Sequence, residues 1–536
     1  MTIPELAEQR PKLSDMVLDG VDSARLVIGM DPERLTAADL LDRGRTFFGS
    51  DGPAAGVATL MTNDRSSIEL LLGAIETGAR LVSLPIPSRT SDPLTYLEFL
   101  RDSCASQGIT NLVVMDDYAE LVSPTNLNIV PHSELGERPV AGACGNGFEL
   151  VQFSSGSTGH PKGVLLSDAA IGANIASIVE VIQPIPGDCS VSWLPLSHDM
   201  GLVGMLLTSL VSASPKYVGE GNIVILDPMQ FLRNPSLWLA AISEWRGAVT
   251  AAPDFGYRLC IDRAAPGSYD LSHIRFAIAG GETIRATTLH DFSQTFAASG
   301  FRPEAFCPAY GMAEVGLAIS LTPASDLWTE LHLSTAALAE HRLERAGIDM
   351  TAADVSTLVA SGRTLSGYSI RSDEPSGLVG HLEVRGPSTG VDALTGMPLA
   401  ADSGWMDTGD FGCVEDGLVI VSGRSDEYIV THGRNLYAPT VEAAIGSVIG
   451  VRAGRAAIVG LPSGDWIVAV EPETNDTLSE KSRRGLVHEV HKTVVPLTGS
   501  RPFAVVLIGR GRLPITPSGK LQRNELRRRY LANEYS

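Results

Sequence analysis

Residues 151–167 read VQFSSGSTGHPKGVLLS. A strand-like VQF runs into Ser, Gly and Thr with a lone His, then Pro-Lys-Gly and an apolar run. A loop of this make-up suits backbone amides gathered around phosphate. Ser154, Ser155, Ser157 and Thr158 offer hydroxyl donors, Gly156 and Gly159 permit close backbone approach, and Lys162 adds a point charge. The spacing excludes a Walker loop, because Pro161 stands where that pattern requires the glycine before its lysine. Composition alone fits a flexible surface linker equally well.

Working outward, the flanks alternate between strand-like and helix-like patterns. GVATLMT (56–62) reads as strand, DRSSIELLLGAIETGA (64–79) as amphipathic helix and RLVSLPI (80–86) as buried strand. A helix near 94–104, the strand NLVVM and then FELVQF lead into the loop. The alternation continues through SVSWLPL, a helix around 236–245, AAPDFGY and IRFAIAG. Such a pattern predicts α/β layering with mostly parallel strands. After about residue 365 the pieces become shorter and more β-like, among them GHLEVRG, LVIVSG, AAIVGL, WIVAVEP and FAVVLIG. Helices are expected near 439–449, 478–494 and 521–533. GRSDEYIVTHGRN (423–435) is charged and Gly-punctuated, as a hinge would be. The expected fold is α/β, with a large N-terminal domain of layered α/β subdomains over 1–425 and a smaller, mobile α+β C-terminal domain over 426–536.

The bulk composition agrees with a multidomain globular chain of 536 residues, 44% of them apolar. With 41 Lys and Arg against 62 Asp and Glu, the net charge of −21 argues against duplex DNA or an anionic membrane as partner. The six cysteines contain no C-x-x-C pair, so reduced buried thiols are expected rather than a metal or disulfide framework. MTIPELAEQRPKL lacks the apolar core of a signal peptide, and the best apolar run, GLVGMLLTSLVSA (201–213), is too short for a membrane span. A cytoplasmic protein is expected.

Four further segments bear on the loop. PAYGMAE (308–314) sets Tyr310, able to stack on a purine, beside Gly311 and Met312, with Glu314 as a carboxylate for Mg2+. WMDTGDFG (405–412) places Asp407 and Asp410 around a tight turn, where an acidic residue can accept both hydroxyls of a ribose. SWLPLSHDMG (192–201) puts His198 and Asp199 where a strand ends. PITPSGKLQRNEL (514–526) presents Lys520 on a Pro/Ser/Gly turn before a helix. Taken singly, a core tyrosine, a surface glutamate and ordinary turn chemistry explain these residues as well.

Together, FSSGSTGHPKGV, PAYGMAE, DTGD, GRSDEYI and PSGK, in this order, resemble the adenylate-forming superfamily of acyl-CoA synthetases, peptide-synthetase adenylation domains and luciferases. The resemblance runs from about residue 50 to the end. Within it, SWLPLSHDMGLVG, FLRNPSLWLAAIS, APDFGYRLC and FRPEAFCPAYGMAE are similar to fatty acyl-AMP ligases. So is the stretch of roughly forty residues after GMAE, containing STAALAEHRLE, which resembles that branch's insertion.

The resemblance implies two half-reactions: a carboxylate attacks the α-phosphorus of ATP, giving acyl-AMP and pyrophosphate, and a thiol then displaces AMP. Ser154 to Lys162 would hold the leaving pyrophosphate and Glu314 the Mg2+. Tyr310 and the backbone of Gly280, Gly281 and Glu282 would line the adenine. Asp410 would take the ribose, with Arg424 nearby. Lys520 would neutralise charge between carboxylate and α-phosphate, and His198 would edge the acyl pocket. Trp193, Phe255, Gly256 and Ala309 are implied walls of that pocket, with the small residues leaving room for a long or bulky apolar acid, by analogy one of bacterial natural product biosynthesis. Asp426 matches the hinge position at which the C-terminal domain rotates between the steps. Aspartate there resembles acyl-CoA synthetases, whereas the acyl-AMP ligase branch usually carries lysine. The thiol is therefore that of CoA or of a carrier-protein phosphopantetheine. Two other readings stay open: an enzyme that performs mainly the thioesterification of a preformed adenylate, and a non-catalytic nucleotide-binding homologue.

Overall fold

The computed structural model describes residues 11–29, 34–49, 56–87, 93–137, 139–141, 147–154, 162–323, 326–347, 349–351, 354–424, 427–431, 434–473, 479–515 and 521–535. Two flanks of the opening stretch, Glu149–Ser154 and Lys162–Ser167, pair antiparallel from Glu149 opposite Ser167 to Ser154 opposite Lys162. They belong to a seven-stranded sheet whose other main strands, Gly56–Leu60, Arg80–Leu84, Asn111–Val114 and Asn128–Pro131, run parallel to Glu149–Ser154. The expected helix between the first two is Arg65–Thr77. Asp64 caps it by accepting Ser67 N–H at 2.9 Å, and Gly78 ends it at φ 68°. Ile68, Leu71, Leu72 and Ile75 follow the i, i+3, i+4, i+7 spacing of one helix face, but every residue from Ser67 to Ile75 is buried, so the helix is enclosed rather than amphipathic.

A second sheet of thirteen strands is mixed rather than mostly parallel. Its parallel part includes Cys189–Ser192, Gly247–Ala252, Phe276–Ala279 and Phe306–Gly311. Beyond Gly311 the chain doubles back and Ala318–Leu321 pairs antiparallel, followed by Met406–Glu415 and Leu418–Arg424 in the same sheet. Short β-pieces with no crossover helix between them cannot pair in parallel, and this is the source of the change.

Three expectations shift in detail. The strand in SVSWLPL stops at Ser192, so Trp193 already lies outside it. AAPDFGY splits at Pro253 into a strand end and the start of helix Asp254–Arg263, as a proline without N–H dictates. DTGD lies within strand Met406–Glu415, kinked at Gly409 (φ 72°), rather than in a free turn.

From Tyr428 onward the described strands pair only with one another. Tyr428–Thr431 pairs with Arg434–Tyr437, and Val451–Gly460, Trp466–Pro472 and Ala504–Leu507 form a separate sheet. Their two apolar clusters, around Trp466 with Val490 and around Ile467 with Leu526, draw on no residue before Ile429. Among the described residues no helix is long and apolar enough to cross a membrane. Five cysteines are described, all free and buried; burial pushes the thiols of Cys104, Cys189 and Cys413 up to about 12. Cys144 lies outside the described residues.

Candidate active site

One open cleft of about 2330 Å³ gathers most of the singled-out residues: His198, Gly280, Gly281, Glu282, Ala309, Tyr310, Gly311, Met312, Glu314, Asp410 and Arg424. It is too large for a single small ligand and takes in the groove between the large sheets and the C-terminal part, where Glu427, Tyr437, Glu442 and Arg523 line it. Ser155, Gly156, Ser157, Thr158, Gly159, Asp426 and Lys520 lie outside the described residues; Ser154 and Lys162 are placed as the paired strand ends that flank the loop.

The hydroxyl of Tyr310 donates to Asp410 Oδ2 at 2.6 Å. Asp410 sits directly across the antiparallel ladder from Arg424, whose Nε is 3.4 Å from Asp410 Oδ1. Burial, reinforced by the Asp410 carboxylate, holds the Tyr310 phenol well above its ordinary value, so it stays protonated and donates. A carboxylate has about four lone-pair positions, so each Asp410 oxygen can still accept from another hydroxyl while its own-chain partners fix the group.

Backbone shape explains the glycines. A Cβ on Gly311 would come 1.8 Å from the Leu317 carbonyl oxygen, because Met312 N–H donates to that same carbonyl at 2.7 Å. The loop so closed carries Glu314 on a single turn, Ala313–Val315, into the cleft. Gly280 lies against Ala309, where a Cβ would meet its carbonyl oxygen at 2.9 Å. The Glu282 side chain accepts Phe255 N–H at 2.7 Å, anchoring the segment after the two glycines.

On the apolar side, His198 Nδ1 is 2.5 Å from Asp199 Oδ1, and that oxygen also accepts Met200 N–H at 2.7 Å. Asp199 thus orients the imidazole while capping Met200–Leu207, a π-helical run that holds the first half of the most apolar segment of the sequence. Such wide turns recur at functional sites. Trp193, Phe255 and Gly256 are not on the cleft wall. Trp193 is 2% exposed and stacked on Phe231 at 3.8 Å between ring centroids. The missing Cβ of Gly256 makes room for that indole, 2.8 Å from where the Cβ would stand, and not for a substrate. Phe255 meets the same indole edge-on. Of the four expected walls only Ala309 lines the cleft; Met200, Gly204, Ile278 and Leu317, not singled out in the sequence, line it too. The signal for Met200 and Gly204 was present in MGLVGMLL, a run too apolar for a solvent-facing helix.

The family model described as "AMP-binding enzyme" matches residues 52–389, more than half of the chain. The chain belongs to this AMP-binding enzyme family. The family is that of acyl-adenylate-forming ligases. A Mycobacterium tuberculosis protein named as a ligase, Rv1013, is 38% identical over 393 residues, 70% of each chain. The long-chain-fatty-acid–AMP ligase FadD26 of Mycobacterium bovis is 26% identical over 527 residues, covering 90% of this chain and 88% of its own. A structure from work on the fatty acyl-adenylate ligases of E. coli and L. pneumophila superposes with a TM-score of 0.85 at 26% identity, over 98% of this chain and 99% of that one.

In this AMP-binding enzyme the insertion-like stretch forms a two-stranded sheet, Glu330–Ser334 with Val355–Val359, joined to the short helix Thr335–Ala339. Leu331, Leu333, Leu338 and Leu358 pack on Val379, Cys413 and Ile420, so the stretch is bound to the large sheet close behind Asp410.

Proposed function

We propose that this AMP-binding enzyme activates a long or bulky apolar carboxylic acid as its acyl-adenylate and then passes the acyl group to a thiol of CoA or of a carrier-protein phosphopantetheine. The observation that carries the reading is the Tyr310–Asp410–Arg424 constellation in one cleft with Glu314, His198 and the Gly280–Glu282 backbone. Asp410 takes the ribose hydroxyls, Tyr310 and the glycine backbone flank the adenine, and the loop from Ser154 to Lys162 grips the pyrophosphate. Attack of the acid on the α-phosphorus sets two anions together, so charge neutralisation and positioning dominate the barrier. Lys520 supplies that charge for adenylation. The unit boundary is placed near Asp426, giving domains of 1–425 and 426–536, with rotation there exposing the thiol path for the second step.

Mg2+ fits this donor set. Among the described residues no three His, Cys, Asp or Glu side chains cluster to hold a metal by themselves. Glu314 offers one carboxylate, as suits an ion that keeps phosphate oxygens and water as its other ligands. Bound there, it supplies charge neutralisation at the phosphate oxygens. The acid class rests on the apolar lining by Met200, Ile278 and Leu317 and on the similarity to FadD26, whose name specifies long-chain fatty acids.

Pyrophosphate release measured over a panel of acids, with CoA and with a carrier protein, tests the reading. Acid-dependent release that is lost in Lys520→Ala is expected. Thioester formation from supplied acyl-AMP without any such release would instead assign the second half-reaction alone, and tight AMP binding without turnover would assign a binding protein.

A further inference from the structure

In sequence, the lysine-bearing turn occupies residues 516–520, and the chain on both sides of it is tied down. Ile515 and Leu521 form an antiparallel bridge, and Gln522 N–H donates to the Pro514 carbonyl at 2.9 Å. Upstream, Leu513 N–H donates at 3.0 Å to Oε1 of Glu471, a fully buried carboxylate whose Oε2 is 2.8 Å from Arg452 Nη1. Downstream, Arg523 opens helix Arg523–Leu531 and is only 8% exposed.

Arg523 divides its fork between two carboxylates. Nη2 is 2.7 Å from Glu442 Oε2, and Nη1 is 3.7 Å from Glu427 Oε1. Glu442 uses its other oxygen to accept Ile458 N–H at 2.9 Å. Oε2 of Glu427 accepts the N–H of Arg424 at 2.9 Å. Direct contacts therefore run from Asp410 through Arg424 and Glu427 to Arg523, three positions beyond Lys520. Glu427 immediately follows the hinge position Asp426.

Stability alone does not account for this cluster. Taking a guanidinium and two carboxylates out of water costs as much as their attraction returns, and apolar replacements of similar volume are often no less stable. Burial pushes the Glu442 carboxyl up to about 7 even against the pull of Arg523, so desolvation does outweigh pairing at that group. What a planar five-donor fork provides, and an apolar side chain does not, is a fixed direction to two partners at once.

We propose that Arg523 is a positioning residue for adenylation: through Glu442 and Glu427 it fixes the described chain that flanks the lysine-bearing segment, Ile515 and Leu521–Gln522, relative to Arg424 and Asp410. The inference rests on the reading of Lys520 given above. A displacement of about 1 Å in a charge-neutralising group lowers a rate by about 100-fold, while binding of ATP by the Asp410 side of the cleft is untouched.

Arg523→Met and Arg523→Lys test it. In Arg523→Met, kcat for acid-dependent pyrophosphate release should fall by about 30- to 100-fold with KM for ATP within about threefold, and thioester formation from supplied acyl-AMP should stay within about threefold. Arg523→Lys should recover part of the kcat. Amide exchange in both variants should quicken at Leu513, Ile515, Leu521 and Gln522 and not in the sheet around Trp466. Equal losses in both half-reactions together with a lower melting temperature would show a merely structural role and overturn the inference. Unchanged kcat, or unchanged exchange at the turn base, would overturn it as well. Should the wild-type chain release no pyrophosphate, the proposed function fails by itself, and the exchange measurement alone then decides whether Arg523 tethers the turn.

Discussion

At the scale of single residues, Asp410 shows how far a motif reaches. DTGD marks it in the sequence, and Arg424 lies close by in the chain, but its bond to Tyr310 joins residues a hundred positions apart and is set by the neighbouring strands. On the proposed reading of Asp410 as the ribose acceptor, Asp410→Asn should raise KM for ATP by about tenfold with a smaller change in kcat, because a charge-assisted acceptor becomes a neutral amide. Tyr310→Phe removes one donor that fixes the carboxylate and should cost about threefold in the same KM, read by pyrophosphate exchange over an ATP series. Gly311 and Gly256 divide instructively. The first is small because a Cβ would strike the Leu317 carbonyl, the second because Trp193 fills the space. Both look alike in the sequence, since smallness carries no record of which neighbour demanded it. That ambiguity is why Gly256 reads as room for a substrate, while in the structure it makes room for Trp193, and neither it, Trp193 nor Phe255 lines the cleft.

Among elements, periodicity served where one face is buried and failed where pairing direction was at stake. The helix at Arg65–Thr77 and the strands around it follow from spacing and caps. The turn from parallel to antiparallel pairing after Gly311, which the lack of a crossover helix requires, is closed by a backbone contact at Leu317 that no spacing announces. One row within the parallel sheet calls for a test of its own. Thr59, Ser83 and Gln152 stand side by side in register on three neighbouring strands, at most 2% exposed, and among the described residues their side-chain polar atoms have no hydrogen-bond partner. An orphaned buried hydroxyl is costly, so the isosteric change Thr59→Val should raise unfolding free energy by about 1 kcal/mol in urea titrations. The insertion-like stretch offers a pH test. The His341 ring lies 5.0 Å from Phe411 and 4.9 Å from Tyr428, bridging the large sheet and the first strand beyond the hinge. Desolvation, then the neighbouring His381, hold His341 below its ordinary value of 6.5. The unfolded chain thus takes up this proton first as pH falls, so the contribution is complete above 6.5 and is lost as pH drops through that value toward the lower folded one. Melting temperatures at pH 7.5 and 5.5 should differ less in His341→Phe, which keeps the ring and removes the titration.

For the whole molecule, charge is divided unevenly along the chain. Residues 426–536 hold 15 Lys and Arg against 11 Asp and Glu, a net of +4, whereas the preceding 425 residues carry −25. The tail KLQRNELRRRYL (520–531) is basic by inspection, but the wider contrast becomes meaningful only once strands after Tyr428 are seen to pair among themselves. Arg483, Arg501, Arg510 and Arg512 are all exposed on that part. Both thiol acceptors under consideration are phosphate-bearing anions, so they meet repulsion from most of the surface and attraction from the C-terminal part alone. The acid carries a single negative charge on a largely apolar body, which on the proposed reading sits beside Met200 and Leu317, so its dependence is weaker. Raising ionic strength from about 0.05 to 0.3 M shortens the screening length from roughly 14 to roughly 6 Å, and should raise KM for the acceptor several-fold while moving KM for the acid little. Arg483→Glu with Arg501→Glu should mimic the high-salt value at low salt and remove most of the remaining dependence. A salt response in the acid's KM of the same size, or none in the acceptor's, would place acceptor recognition away from the basic part and within the acidic one.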